Sequence, residues 1–377
     1  MDFTKLKKYI DSLHNDKGVP ACGVSVFHEH AEVFRHTCGY SDYENTIPLR
    51  TDDQFFMYSC TKPVTAAAGV RLIEDGKLNL DAPVSDYLPC FNNVFLVKEG
   101  KHVSPRRAAT VRNLFTMSAG FDYNLYKEPV REVLSRRGSE ASTREIAEAI
   151  TLSPLSFEPG GKFQYSLCHD ILAAVIETAA GMSFGEYLKQ IIFEPLEMNN
   201  TYFATTREYP ELTAKYMYDK ASGTLKTAPR KNMFIPSDRY ESGGAGLISA
   251  QEDYGRFADA LANDGTGING NHILTKAGID MLRTEQLRHH VADPVFSCAA
   301  GPGYGYGLGV RTLVDKSFGA RSALGEFGWD GAAGSYLMAD PENRLACVTM
   351  MHIRGWATML GSPHIPVRDL LYDCMEL

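Results

Sequence analysis

No run of this sequence approaches the ~20 apolar residues that a membrane-spanning helix needs. Its apolar stretches are short; Ile171 to Ile176, for example, is closed off by Asp170 and Glu177. The N-terminal MDFTKLKKYIDSL is charged and amphipathic, without the apolar run and small-residue cleavage site of a signal peptide. The expectation is a cytoplasmic chain with no membrane contact, although a removed leader would leave the same sequence. Positive charge is also in short supply. Lys and Arg number 38 against 46 Asp and Glu, a net charge of −8, so nothing in the overall field attracts a phosphate backbone and nucleic acid is not an expected partner. None of the eight cysteines forms a C-x-x-C pair, and reduced, mostly buried thiols are expected instead of a disulfide framework. The eleven histidines show no H-E-x-x-H or other ligand spacing, so neither a metal nor a cofactor is expected. Internal repeats and low-complexity segments are absent as well.

What remains is an ordinary globular composition, 44% hydrophobic and 22% charged, in 377 residues, enough to bury a core without staples. Phe3, Leu6, Ile10 and Leu13 recur at helical spacing. Residues 21–29 and 31–38 read as a hairpin, its turn bracketed by His28 and His30, and a helix follows over 59–75. Between 81 and 240 helical periods recur among long Pro-, Gly- and Tyr-rich loops. Ser142 and Glu145 form a capping box there, and Leu172, Val175, Ile176 and Ala179 share a helical face. Beyond 240, Ser249 to Glu252 reads as a cap for a helix bearing Tyr254, Phe257 and Leu261. Strand-like runs follow at 304–313, 334–339 and 345–351, and a helix at 366–375 closes the chain. The simplest arrangement is an α+β fold. An antiparallel sheet flanked by helices is built from 1–80 and 241–377, a mostly helical region of 81–240 is inserted, and the active site lies at the junction.

Two serine motifs compete for the role of nucleophile. Gly181-Met-Ser-Phe-Gly185 is a formal G-x-S-x-G, which carries an α/β-hydrolase nucleophile only where a strand turns sharply into a helix. Here a helical period precedes it, Gly181 stands where a helix-ending glycine belongs, and Ser183 with Glu186 reads as the cap of the next helix. Ser59-Cys60-Thr61-Lys62 has the better context. It follows the short apolar run FFMY and opens a helix, which puts Lys62 one turn on from Ser59 and on the same face. A serine hydroxyl needs a base beside it, and a lysine withdrawn from water has a lowered pKa. The helix N-terminus also offers backbone N–H groups to a developing oxyanion.

At this point the chain resembles the serine hydrolases of the class C β-lactamase and penicillin-binding protein superfamily, and the resemblance is spread over nearly the whole length. SCTKPVTAAAGVRLIEDGKLNLDAPVSDYLP is similar to the family's nucleophile helix and the loop after it. TVRNLFTMSAGFDY, FEPGGKFQYSLCHDILAAVIE, FGEYLKQIIFEPLEMNNTYF, SGGAGLISAQEDYGRFADAL and FGWDGAAGSYLMADPENRLACVTM follow in the family's order. The resemblance implies Ser59 as nucleophile, Lys62 as its partner, and Tyr165 as general base of acylation and acid for the leaving group. It leaves open whether Lys62 or Tyr165 takes the serine proton. Such a tyrosine is expected to need cations or donors that lower its pKa. The backbone N–H groups of Ser59 and Ala332 would form the oxyanion hole. Trp329, Asp330 and Gly331 would be the third motif, with Gly331 letting the strand edge approach the substrate.

Two departures narrow the branch. Leu167 stands where β-lactamases and transpeptidases of this family carry Asn, and Trp329 where they carry Lys or His. Tyr-Ser-Leu with Asp170 further on, together with W-x-G, is similar to the esterase branch, the family VIII carboxylesterases. Leu167 and Asp170 therefore join the candidate substrate-binding set, Asp170 either orienting the site or simply opening the next helix. The expected function is hydrolysis of small carboxylic esters through a Ser59 acyl-enzyme. The alternatives are β-lactamase or D-amino-acid peptidase activity, acyl transfer, and a catalytically inactive binding homologue. The substrate would be a small-molecule ester or amide. Cys60 and Cys168, one and three residues past Ser59 and Tyr165, are expected beside the site as packing groups.

Overall fold

The computed structural model describes residues 1–377. Helix α1 (Thr4–Asn15) buries Leu6, Ile10 and Leu13, three of the four residues at helical spacing. Strands β1 (Ala21–His28) and β2 (Ala31–Gly39) form the hairpin. Glu29 and His30, at φ 49° and 67°, both take the left-handed conformation that a two-residue turn between twisted strands favours. Helix α2 (Thr61–Glu74) is entered through a tight 3₁₀ turn, Tyr58–Cys60, so the helix of 59–75 begins two residues late. Helix α3 (Cys168–Ala180) ends at Gly181 with φ 71°, and α4 (Gln251–Ala262) follows the inserted region.

The C-terminal third adds β3 (Tyr304–Tyr306), β4 (Arg311–Leu313), β5 (Phe327–Asp330), β6 (Tyr336–Asp340), β7 (Leu345–Met350) and helix α5 (His364–Met375). These strands join the N-terminal hairpin in one sheet, ordered β3-β4-β5-β6-β7-β1-β2, with every neighbour antiparallel. The two ends of the chain meet where Gly23 pairs with Met350 and His28 with Leu345.

The strands alternate, so each face of the sheet buries its own set of side chains. Leu6 and Ile10 of α1 and Leu371 of α5 pack with Val24, Met338 and Cys347 on one face. The other face, with Phe27, Leu337 and Val348, belongs to a larger core of 82 buried residues that takes in α2, α3 and α4. A Cβ on Gly255 of α4 would stand 2.5 Å from the Phe27 ring, so that helix can lie close on β1 only because the residue is glycine. The same core includes Leu114, Ile146 and Leu172, so the middle of the chain has no separate core.

Three local expectations change. The run 304–313 is two strands, because the chain reverses over Gly307–Val310, where Gly309 has φ 78°. As a result β4 pairs with β5 only at Phe327 and Gly328, and Trp329 and Asp330 project past its end. Ser249 does not cap α4. It lies in the strand Leu247–Ala250, which pairs with Gln54–Phe56, and its hydroxyl bonds to Thr201 Oγ1 at 2.8 Å. Pairing on that strand takes the serine away from the cap position. The inserted region also contains two hairpins, Leu96–Lys98 with Lys101–Val103 and Tyr216–Asp219 with Thr224–Thr227.

Candidate active site

The backbone on the approach to Ser59 is forced into an unusual shape. Tyr58 has φ 47°, a left-handed conformation costly for a bulky side chain, on the order of 1–2 kcal/mol. Surrounding contacts hold it there. Met57 N–H donates to Leu247 O at 2.9 Å, Ser335 Oγ donates to Met57 O at 2.9 Å, and Tyr254 OH donates to Cys60 O at 2.6 Å. The turn then feeds α2, with Pro63 in its first turn, where no intrahelical N–H bond is lost.

Three side chains predicted from sequence converge. Tyr165 OH donates to Ser59 Oγ at 2.7 Å, and Lys62 Nζ lies 3.2 Å from the same oxygen. Lys62 is fully buried, and no carboxylate lies within ion-pair distance of it. Its ammonium is held by Gly244 O at 2.6 Å and Tyr123 OH at 3.4 Å, with the Tyr165 ring centroid 4.6 Å away. Burial brings its pKa down to about 7, against smaller upward pulls from Asp170, Cys60 and Asp330. Tyr165 moves the other way. Burial pushes its pKa up, and hydrogen bonding with Ser59 only partly offsets the rise. Burial thus favours the phenol form of Tyr165, and Lys62 is the group whose pKa lies near neutrality.

The backbone N–H groups of Ser59 and Ala332 donate to no acceptor within the protein, so both are available to a ligand oxygen. The cavity beside them is about 280 Å³. It is lined by Ser59 and Ala332, by the rings of Phe163, Tyr165, Phe296 and Trp329, by Asp330, and by Ser297 to Ala299. Trp329 stacks on Tyr165 with centroids 5.8 Å apart.

Three members of the expected substrate-binding set do not line this cavity. Leu167 is 2% exposed; it precedes α3 as its N-cap and packs into the core. Gly331 is glycine because of protein neighbours: a Cβ there would stand 2.0 Å from Ser335 Oγ and 2.5 Å from Met57 O. Asp170, also 2% exposed, is a positioning group. Its Oδ1 accepts from Tyr240 OH at 2.9 Å, Ser242 Oγ at 2.5 Å and Gly244 N–H at 3.3 Å. Gly244 O is the acceptor for Lys62, and Gly243 O accepts from Thr65 Oγ1 of the same helix at 2.7 Å. Asp170 thus fixes the peptide that fixes the lysine. A Cβ on Gly244 would fall 2.5 Å from Asp170 Oδ2, so no larger residue fits between them.

Two residues at the site lie outside the predicted set, although the Tyr-rich segment 123–126 is expected to line the pocket. Tyr123 stacks on Tyr165 at 5.3 Å and 6° and contacts Lys62, but its segment has no period that would place it. The cysteine on the cavity wall is Cys298, whereas Cys60 and Cys168 are wholly buried behind it. Ser183 caps the helix Phe184–Leu188 by accepting from Glu186 N–H, and no lysine, histidine or tyrosine bonds to it.

The chain is similar to several known proteins. Esterase EstB of Burkholderia gladioli is 29% identical, covering 93% of this chain and 90% of its own. The lovastatin esterase of Penicillium rubens is 26% identical over 80% of each chain. Among solved structures, EstCE1, a hydrolase with promiscuous acyltransferase activity, superposes with a TM-score of 0.79 at 25% identity, covering 98% of this chain and 97% of its own. Esterase-like motifs, this fold and a hydrolase relationship coincide with a beta-lactamase family model that matches residues 6–364, and the chain belongs to that family.

Proposed function

We propose that the protein is a serine esterase that cleaves small carboxylic esters through an acyl-enzyme on Ser59. The observation that carries the reading is the trio in which Tyr165 and the buried Lys62 both reach Ser59 Oγ, at 2.7 and 3.2 Å. With its pKa near 7, Lys62 spends much of its time at neutral pH as the free amine. In that state the serine hydroxyl donates to Nζ, and Lys62 takes the proton as Oγ bonds to the ester carbonyl carbon. The carbonyl oxygen becomes an oxyanion held by the N–H groups of Ser59 and Ala332. Collapse breaks the bond to the alcohol oxygen, which takes a proton from Tyr165, and Lys62 returns its proton to the phenolate. Water then enters by the reverse proton path and releases the acid. Residues 1–80 and 241–377 present Ser59 and the Trp329 strand in this reading, and the region 81–240 brings Tyr123 and Tyr165 to face them.

Esters are favoured over β-lactams for a physical reason. A β-lactam brings a carboxylate beside its scissile amide, and an unpaired carboxylate is costly to move out of water. Trp329 offers a ring where a cation would be needed, and Asp330 would repel an anion. EstB and lovastatin esterase carry esterase names, which supports the ester side. EstCE1's promiscuous acyltransferase activity supports a second use of the acyl-enzyme, transfer to an alcohol. Measuring kcat/KM for p-nitrophenyl butyrate and for nitrocefin on one preparation tests the choice. The ester should be turned over far more efficiently; equal or better turnover of nitrocefin would overturn the reading.

A further inference from the structure

The cavity wall carries one group that the proposed chemistry does not use. Asp330 lines the cavity beside Trp329, yet its carboxylate makes no hydrogen bond and no ion pair with the protein. Arg311, a buried arginine of the same sheet, acts on Asp330 only through its charge and makes no bond to it, although its Nε and Nη1 have no partner. Its Nη2 donates to Leu337 O at 3.1 Å and lies 3.5 Å from Glu326, both deep in the sheet. Lys62 is tied to Gly244 and Tyr123. Burial pushes the Asp330 carboxyl up, against the pull of Arg311 and Lys62, and a cation that arrives with the ligand would hold it ionised.

The rest of the wall suits a particular cation. Phe163, Tyr165, Phe296 and Trp329 line the same cavity as packed rings, Phe163 against Phe296 at 5.1 Å and Phe296 against Trp329 at 6.3 Å. Ring faces attract ammonium groups, and most strongly those whose methyl groups shed water easily. Asp330 is the one charged side chain on the lining, and no cationic side chain lines the cavity with it. A carboxylate set among four rings is a receptor for an alkylammonium group, and ~280 Å³ accommodates a trimethylammonium head with a short chain.

We propose that the preferred substrates are esters bearing a quaternary or alkylated ammonium group, held by Asp330 and the Phe163, Phe296 and Trp329 rings beside Ser59. The proposal rests on the esterase reading for its chemistry, but the recognition it describes is measurable without turnover.

Choline and 3,3-dimethylbutan-1-ol have nearly the same shape and differ in charge. Calorimetric titration of the wild-type protein with each should give a preference for choline of roughly tenfold or more, the scale of a desolvated cation–aromatic contact plus a charge pair. The preference should fall to about one in Asp330→Asn and shrink in Phe296→Leu. Equal affinity of the wild type for the two alcohols overturns the proposal whether or not the variants fold, as does a preference that folded Asp330→Asn retains. Hydrolysis of the two acetate esters, acetylcholine and 3,3-dimethylbutyl acetate, is followed in parallel. Turnover of both without a choline preference leaves the esterase standing and the cation site refuted. A choline preference without turnover of either refutes the esterase and leaves the cation site standing.

Discussion

Replacing Asp170 by Asn should move the pH dependence of the enzyme without dismantling the site. Asn keeps an oxygen where Tyr240, Ser242 and Gly244 donate, so the peptide that holds Lys62 stays in place. What disappears is a negative charge that raises the lysine pKa. The connection from Lys62 Nζ through Gly244 to Asp170 Oδ1 places the two charges within roughly 10 Å of each other, where the interaction at an effective dielectric of ~20 is about 1.7 kcal/mol. That corresponds to slightly more than one pKa unit. The sign follows from the role of the amine. Activity needs neutral Lys62, so kcat/KM for an uncharged ester should rise with pH through a midpoint near 7 in the wild type, with about a tenth of the maximum left at pH 6. In Asp170→Asn the charged form loses a favourable partner, and the midpoint should move about one unit toward acid. The assay is kcat/KM for p-nitrophenyl butyrate from pH 5 to 9 on both proteins. An unchanged midpoint, or one moved toward alkali, would refute the assignment of the acid limb to Lys62.

Lys62→Ala and Tyr165→Phe should each lower kcat by at least ~100-fold, the usual scale for losing a positioned proton-transfer group. Both groups act through one oxygen, so the double variant should be little worse than either single one, and fully multiplicative losses in steady-state kinetics would show that they work independently. Cys298 is the cysteine on the cavity wall, and burial pushes its thiol up to about 11, so a bulky maleimide should react slowly and inhibit by obstruction. Time courses of inactivation should flatten in Cys298→Ala, and persistence of the same inactivation rate there would point to a different thiol.

Much of this molecule is legible in its sequence because the informative features are local. The helix at 4–15, the hairpin turn at Glu29-His30 and the Ser142 and Ser183 caps are all written in neighbouring residues, and the structure forms each of them. Helical spacing alone puts Lys62 on the Ser59 face. The errors come where a distant partner outbids the local signal. Ser249 carries a cap pattern but is claimed by strand pairing with Phe55. Leu167 lies two residues after Tyr165, yet the turn into α3 sends its side chain into the core. Gly331 looks like room for a substrate and turns out to be room for Met57 O. The strand Lys101–Val103 is exposed throughout, so no alternation of apolar and polar residues marks it. Tyr123 and Cys298 reach the cavity on irregular segments, where no period fixes which way a side chain points.

The central claim is that Ser59, and not Ser183, forms the acyl-enzyme. Intact-mass measurement after incubation with a fluorophosphonate probe tests it most directly, on wild type, Ser59→Ala and Ser183→Ala. The account predicts one adduct on wild type and on Ser183→Ala, and none on Ser59→Ala. An adduct on Ser59→Ala that disappears in Ser183→Ala would contradict it.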